Sequence, residues 1–212
     1  MKYPNLKEEK RLWKKGFEVV VGLDEAGRGA LAGPVVAAAV FINSKHQAPN
    51  SKKSGIFLKG VKDSKKLTQK KREELYQLIV KCPFLEWGIG KVSERVIDKI
   101  NILEATKLAM KKAIKKLKRK PDYLILDGNF KLDLPIPQKS IVKGDEKIFS
   151  CAAASIIAKV TRDKIMEKYA KKFPKYGFEK HKGYATKFHL KILKKYGPCK
   201  IHRKSFLPLA KT

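Results

Sequence analysis

The chain has 212 residues, 43% of them hydrophobic, which is enough for one sizeable buried core. Its 50 lysine and arginine residues against 20 acidic residues give a formal net charge of +30, which attracts polyanions such as nucleic acid. No apolar run reaches the roughly 18 residues that a membrane span needs, and the charged N-terminus lacks the apolar centre of a signal peptide. The sequence therefore predicts a cytoplasmic protein with no membrane partner.

The cysteines argue against two further classes of protein. Cys82, Cys151 and Cys199 are odd in number and have no CxxC spacing, so neither a disulfide framework nor a zinc site is expected. We interpret them as small buried residues in a reducing compartment.

The first part of the chain predicts two buried strands on either side of an acidic turn. After a polar, partly helical lead-in, residues 19–24 form a β-branched run typical of a buried strand. Residues 33–42, rich in valine and alanine, predict a second strand that is buried on both faces. Between them, Asp24 and Glu25 precede the glycine-bracketed turn at residues 27–29. Acidic residues are poor strand formers and are rarely buried alone, so packing does not account for this pair.

The middle of the chain predicts a loop, a third strand and two helices. Residues 43–60 have few apolar anchors and predict an exposed loop. Thr68 is a suitable N-cap for a helix that ends near residue 81. Residues 87–92 predict a third strand, and the apolar spacing of residues 94–118 predicts a long helix.

The next part repeats the design of the first strand. Residues 123–126 predict a short buried strand that ends at Asp127 and a following glycine. Residues 136–142 predict a fifth strand. Asp145 then precedes a long helix with a small-residue face, which allows that helix to lie close to the sheet.

Strands and helices interleave without a repeat or a domain boundary, which predicts one α/β domain over residues 1–212. Its core covers about residues 18–170. A helical C-terminal portion, about residues 171–212, includes a helix that Thr186 caps.

The acidic residues at the strand ends predict a metal site. Functional groups of open α/β sheets gather at the carboxyl ends of strands, so Asp24 and Asp127 face each other if their strands are neighbours. Adjacent strand residues point to opposite faces, so Asp24 and Glu25 share one site only if the strand ends between them. With Asp145 added, the crowded carboxylates need a cation, and all-oxygen ligation suits Mg²⁺ or Mn²⁺ in a two-ion site.

Taken one at a time, some of these residues also have simpler interpretations. Asp127 could form a turn, and Asp145 could cap a helix. Arg203 and Ser205 could bind phosphate or pin the C-terminal tail to the core, and we favour pinning. Three C-terminal histidines are interpreted as surface or packing residues: His181, His189 and His202.

Residues 24–35 read DEAGRG, then Ala30, then LAGPV. This stretch resembles the signature of the ribonuclease HII family except at Ala30, where a proline is more usual. Other family motifs follow in family order, and the resemblance extends over about residues 20–208. These motifs are DSKKL at 63–67, LDGN at 126–129, KGD at 143–145, AAASIIAKVTRD at 152–163 and GYATKFH at 183–189.

The resemblance implies a ribonuclease H-like fold on a five-stranded mixed sheet. It implies metal-dependent cleavage on the 5′ side of ribonucleotides, in RNA–DNA hybrids and at single ribonucleotides in duplex DNA, leaving 3′-hydroxyl and 5′-phosphate ends. Such an enzyme serves to remove ribonucleotides from DNA, and we expect a monomer. The family's metal-binding carboxylates correspond to Asp24, Glu25, Asp127 and Asp145.

The resemblance also implies residues that bind the substrate. The Gly-Arg-Gly turn would sense the 2′-hydroxyl largely through its backbone, two lysines would touch the nucleic-acid backbone, and a tyrosine would stack on the deoxyribose after the junction. In this sequence they are Gly27, Arg28, Gly29, Lys65, Lys66 and Tyr184. The lysines could instead belong to a solvated helix cap, and the tyrosine could be a core or hinge residue.

Two alternatives remain at this point. The sister family, ribonuclease HIII, would carry a different turn after the acidic pair and an extra N-terminal domain. A non-catalytic basic RNA-binding protein would account for the charge but not for the placed carboxylates. Such a protein would need no Mg²⁺ or Mn²⁺, whereas a nuclease would stop when its metal is chelated.

Overall fold

A five-stranded mixed sheet forms the centre of the computed structural model, which describes residues 4–43, 61 and 67–206. The strand order is β3-β2-β1-β4-β5, with β1 antiparallel to β2, β2 antiparallel to β3, and parallel pairing of β1 with β4 and β4 with β5. This confirms the predicted mixed sheet. The strands are β1 (Val20–Ala26), β2 (Val35–Ile42), β3 (Leu85–Val92), β4 (Tyr123–Asp127) and β5 (Gln138–Ile141).

Helices cover both faces of the sheet and continue beyond it. They are α1 (Lys7–Lys14), α2 (Gln69–Val80), α3 (Glu94–Ile114), α4 (Gly144–Lys147), α5 (Phe149–Lys172), a 3₁₀ turn (Pro174–Tyr176), α6 (Phe178–His181) and α7 (Lys187–Tyr196). Among these described helices, none has the length and apolarity to cross a bilayer.

β2 is buried on both faces, and its alternate residues pack against different helices. Ala38 and Val40 pack with α5 on one face, whereas Ala37 and Ala39 pack with α3 on the other. The helix α5 lies very close to β1, because a Cβ at Gly22 would overlap Ser150. This close approach places the start of α5 against the strand that carries the acidic pair.

The C-terminal helices form a further cluster at one end of the sheet. Phe178 of α6 and Leu193 of α7 pack with Met166 of α5 and with Leu31, which follows the Gly-Arg-Gly turn. The predicted Thr186 cap is present, since the Thr186 hydroxyl accepts a hydrogen bond from the backbone N–H of His189 at 3.2 Å.

Several element boundaries differ from the sequence predictions, among them the end of β1 at Ala26 and the start of β2 at Val35. β3 begins at Leu85 and β5 spans only Gln138–Ile141. The long helix α3 ends at Ile114 and is kinked at Asn101 (φ +62°), because the Asn101 side chain accepts hydrogen bonds from two following backbone N–H groups and starts a new turn. The predicted loop at residues 43–60 falls outside the described residues except at its first position.

Candidate active site

Two strands and one short helix bring three carboxylates together. Leu23 pairs with Leu126 in the parallel ladder, so Asp24 and Asp127 occupy the next positions of β1 and β4. The two strands are neighbours, so the condition for Asp24 and Asp127 to face each other is met. Asp145 comes from α4, and one oxygen of each of the three carboxylates lies within 4.8 Å of the others.

Backbone and side-chain hydrogen bonds hold these carboxylates in place. The backbone N–H of Gly144 donates to Asp127 Oδ1 at 2.8 Å, which ties α4 to the end of β4. Asp145 lies in the first turn of α4 and Lys143 is its N-cap residue, so the capping interpretation of Asp145 is wrong. The long helix α5 begins four residues after Asp145, at Phe149, rather than at Asp145 itself.

The carboxylates repel one another in a buried position. Burial raises the pKa of Asp24 well above its ordinary value, and the charges of Glu25, Asp127 and Asp145 raise it further, against a hydrogen bond from Ser155 that lowers it. A divalent cation would relieve this repulsion, and carboxylate oxygens are the ligands that hard cations prefer. The donor set therefore fits Mg²⁺ or Mn²⁺ in chemistry.

Glu25 lies beside this cluster rather than within it. β1 continues to Ala26, so the strand does not end between Asp24 and Glu25, which was the condition for both to share one site. The Glu25 backbone N–H donates to Asp24 Oδ1 at 2.7 Å, while its carboxylate faces the Arg28 guanidinium at 3.3 Å. Glu25 is nevertheless close enough for its charge to raise the pKa of Asp24.

The Gly-Arg-Gly turn leads directly out of the strand that carries these acids. Gly27 adopts φ +95°, a conformation that glycine permits, and a Cβ there would overlap the Arg162 guanidinium. Gly29 is exposed, and nothing lies within 4 Å of the position its Cβ would take. The Arg28 guanidinium lies 5.5 Å from the centre of the Phe130 ring. The turn thus has one tightly packed glycine and one open glycine.

Arg203 fixes the backbone of this turn from the C-terminal segment. Its guanidinium donates to the carbonyl oxygens of Gly27 at 2.7 Å, Arg28 at 2.8 Å and Gly33 at 2.8 and 3.0 Å. Arg203 is fully buried, and burial together with the Arg162 charge lowers its pKa to about 9, so it remains a cation at neutral pH. The pinning interpretation of Arg203 is confirmed. Ser205 also pins the tail, because its backbone N–H and hydroxyl donate to Asp98.

Arg162 of α5 is a second buried arginine, and it bonds the residues that follow the turn. The sequence patterns did not single it out. Its guanidinium donates to Pro34 O at 3.0 Å, Ala32 O at 3.0 Å and Lys182 O at 2.9 Å. The only available signal was an arginine that directly follows the small and apolar first half of α5. Together, the two arginines hold the seven residues from Gly27 to Gly33, which include the turn, against α5 and the C-terminal segment.

Tyr184 lies next to this segment. It forms an antiparallel bridge with Ala30, and its half-buried ring lies 5.2 Å from the Arg162 guanidinium and 5.6 Å from Lys159 Nζ. The structure therefore places Tyr184 beside the residue that follows the turn, and its stacking on a deoxyribose stays a prediction. Lys65 and Lys66 lie outside the described residues.

Comparisons with known proteins agree with the motifs. A family model described as Ribonuclease HII matches residues 21–208. Ribonuclease HII of Caldicellulosiruptor saccharolyticus is 49% identical over 199 residues, which cover 94% of this chain and 92% of that protein.

Solved structures show the same fold. Ribonuclease H2 from Pyrococcus horikoshii OT3 is similar with a TM-score of 0.72 and 29% identity, over 91% of this chain and 96% of that one. Bst-RNase HIII in complex with Mn²⁺ is similar in fold, with a TM-score of 0.66 and 21% identity over 91% of this chain and 68% of that one. The predicted ribonuclease H-like fold is confirmed.

Proposed function

The chain belongs to the ribonuclease HII family, and on that premise we propose that it hydrolyses the phosphodiester on the 5′ side of ribonucleotides, leaving 3′-hydroxyl and 5′-phosphate ends. It is an enzyme, an endonuclease of the ribonuclease H type. The proposed substrates are RNA–DNA hybrids and duplex DNA that contains a single ribonucleotide. Its proposed role is the removal of ribonucleotides from DNA, carried out in the cytoplasm by a monomer with one catalytic domain.

The observation that carries the proposal is the cluster of Asp24, Asp127 and Asp145. Its first member, Asp24, lies in the strand that leads into the glycine turn. We propose that these three residues, with Glu25 beside them, hold two Mg²⁺ or Mn²⁺ ions. Bound ions of this kind supply the charge that activates a water and stabilises the leaving oxygen of a phosphodiester. The hydrogen bond from the Gly144 N–H to Asp127 would then keep that carboxylate oriented before substrate arrives.

The turn is the proposed sensor of the 2′-hydroxyl. Distinguishing RNA from DNA requires a contact to that group, and the open backbone at Gly29 allows a sugar to approach closely. Tyr184 borders the same segment and would stack on the deoxyribose that follows the ribonucleotide. Lys65 and Lys66 are proposed on the resemblance alone as contacts to the nucleic-acid backbone.

A labelled DNA duplex with one ribonucleotide tests this proposal. With Mg²⁺ or Mn²⁺ we expect one nick on the 5′ side of the ribonucleotide, and no nick with EDTA or on an all-DNA duplex. If the protein cleaves a long RNA–DNA hybrid but not the single-ribonucleotide duplex, the proposed single-ribonucleotide activity is wrong. Binding without any cleavage, in either metal, would instead favour the basic RNA-binding protein.

We expect Tyr184→Ala to reduce cleavage at a single ribonucleotide about tenfold more than cleavage of a long hybrid, since one stacking contact contributes about 1–3 kcal/mol. The measurement is kcat/KM on both substrates. Tyr76→Ala is the matched control, because Tyr76 also has a lysine over its ring, with Lys164 Nζ at 4.7 Å. Equal losses on both substrates would contradict a junction-sensing role for Tyr184.

A further inference from the structure

Three buried histidines form one contact network beside Tyr184, and the proposed reaction does not use them. His181, His189 and His202 expose 8%, 0% and 3% of their surface and surround the Phe178 ring. The His181 and His189 rings stack with centroids 4.2 Å apart. His189 Nε2 lies 3.0 Å from His202 Nε2, so one of these two nitrogens must carry the proton that joins them.

The backbone partners decide which nitrogen carries that proton. His189 Nδ1 lies 2.9 Å from the carbonyl oxygen of Tyr184, which can only accept, so Nδ1 is protonated and Nε2 is bare. The backbone N–H of Cys199 lies 2.9 Å from His202 Nδ1, closer than the Cys199 carbonyl oxygen at 3.3 Å, so the N–H donates to a bare Nδ1 and the proton lies on Nε2. The His202 Nε2–H therefore donates to His189 Nε2, and both rings are neutral.

Neither ring of this pair can accept a second proton without losing a hydrogen bond. A proton on His189 Nε2 would face the His202 N–H, and a proton on His202 Nδ1 would face the Cys199 N–H. Burial, together with neighbouring histidines, accordingly lowers the pKa of His189 and of His202 to about 4. The two neutral rings contribute fully to the stability of the folded state above pH 6.5, the ordinary histidine pKa. This contribution is lost as the pH falls from 6.5 towards 4, because the unfolded chain binds protons in that range and the folded chain does not.

Few other titratable groups face the pair in the described part of the chain. His181 stacks on His189, and its own ring is neutral because Nε2 donates to Tyr176 O while Nδ1 accepts from the Gly183 N–H. The Tyr176 ring lies 5.2 Å from the His202 ring. Further titratable groups near the network are Glu179, whose charge acts on His181, Cys199 in the segment that bonds His202, and Arg203, which follows His202 in the chain.

The histidine pair closes a ring of hydrogen bonds around the segment that follows the glycine turn. The N–H of Leu31 donates to Gly183 O at 2.8 Å, and the N–H of Arg203 donates to Leu31 O at 2.8 Å. Leu31 thus lies between the Tyr184 segment and the His202 segment. A second connection between those two segments runs through His189, which bonds both Tyr184 O and His202.

We propose that the neutral His189–His202 pair positions Tyr184 against the Gly27–Gly29 turn, and so sets how well a ribonucleotide junction is recognised. His189 holds the Tyr184 carbonyl, and His202 anchors His189 to the segment whose Arg203 holds the turn. Both histidines are positioning residues. The inference rests on the proposed junction recognition by Tyr184.

Two substitutions at His202 test this inference. His202→Asn keeps an acceptor for the Cys199 N–H but removes the donor to His189, whereas His202→Gln carries an amide N–H in place of Nε2–H. We expect His202→Asn to lower the ratio of single-ribonucleotide to long-hybrid kcat/KM about 5-fold, the effect of one net hydrogen bond, and His202→Gln to restore most of it. If His202→Asn does not fold, His189→Asn takes its place, because its amide can still donate to Tyr184 O.

A destabilising control and a spectroscopic measurement separate positioning from stability. Leu75→Ala weakens the packing of α2 in a cluster that contains neither Phe178 nor Leu31, and we expect it to leave the ratio unchanged. Nitrogen-detected NMR of the wild type should show the Nδ1–H tautomer of His189 and the Nε2–H tautomer of His202, both resisting protonation down to about pH 5. In His202→Asn, His189 Nε2 no longer faces an N–H, so the pKa of His189 should rise, while burial still keeps it below 6.5.

The possible results are distinguishable. An unchanged ratio in His202→Asn, or histidines that titrate near pH 6.5 in the wild type, would overturn the positioning role while leaving the nuclease proposal intact. A wild-type enzyme that cleaves long hybrids but never single ribonucleotides would overturn the proposed junction recognition, and the role of the pair would fall with it.

Discussion

Replacing Asp127 with asparagine is expected to lower cleavage of both substrates by at least about 10³-fold, or about 4 kcal/mol of transition-state stabilisation. The neutral amide keeps the size of the side chain and its oxygen can still accept from the Gly144 N–H, so α4 should stay in place. What is lost is one negative charge among three carboxylates that lie within 4.8 Å of one another. The measurement is kcat/KM with Mg²⁺ and with Mn²⁺ on each substrate.

Thermal unfolding distinguishes a lost metal ligand from a damaged fold. In EDTA, Asp127→Asn should unfold at the wild-type temperature or slightly above it, because the pKa of Asp24 is no longer raised by the Asp127 charge. Added Mn²⁺ should raise the Tm of the wild type but raise that of the variant much less, since only bound metal stabilises the native state. Asp133→Asn removes an exposed carboxylate six residues away. It should change neither kcat/KM nor the rise in Tm that Mn²⁺ produces. Near-wild-type turnover in Asp127→Asn would place the metal site elsewhere.

Much of the fold follows from local sequence patterns, because its strands are marked by short apolar runs with clear ends. Two of these runs end at Asp24 and Asp127, and the pairing of β1 with β4, which the sequence alone left open, brings these two residues together. The kink at Asn101 has no such signal, because the side chain bonds the backbone of the next turn while the apolar helical spacing continues across it. Helix periodicity alone therefore overestimates the regularity of α3.

The candidate site is less predictable where its contacts involve the backbone. Asp24, Asp127 and Asp145 stand out because acidic residues at strand ends are costly without a function. Glu25 lies beside the cluster, and nothing in the sequence shows that β1 continues past it. Arg162 and the three histidines bond mainly carbonyl oxygens and backbone N–H groups, which every residue type supplies, so no sequence pattern identifies their partners.

Replacing Arg203 with lysine is expected to have the second large effect, because the forked guanidinium holds three carbonyl oxygens of the turn segment at once. Lysine keeps the charge, but its single ammonium group cannot reproduce this planar fork, so at least one buried carbonyl loses its partner. We expect a loss of about 1–3 kcal/mol in unfolding free energy. We also expect kcat/KM at single ribonucleotides to fall about 10–100-fold, because a misplaced sensing backbone weakens transition-state contacts.

The decisive comparison is between binding and cleavage. The Arg203 guanidinium is buried and bonded to carbonyl oxygens, so Arg203→Lys should bind an all-DNA duplex like the wild type and show the same salt dependence. Lys204→Ala serves as the matched control, because it removes an exposed charge from the adjacent position and should weaken duplex binding without changing the preference for ribonucleotides. If Arg203→Lys instead weakens duplex binding and cleavage by the same factor, Arg203 acts through phosphate contact and not through the backbone of the turn.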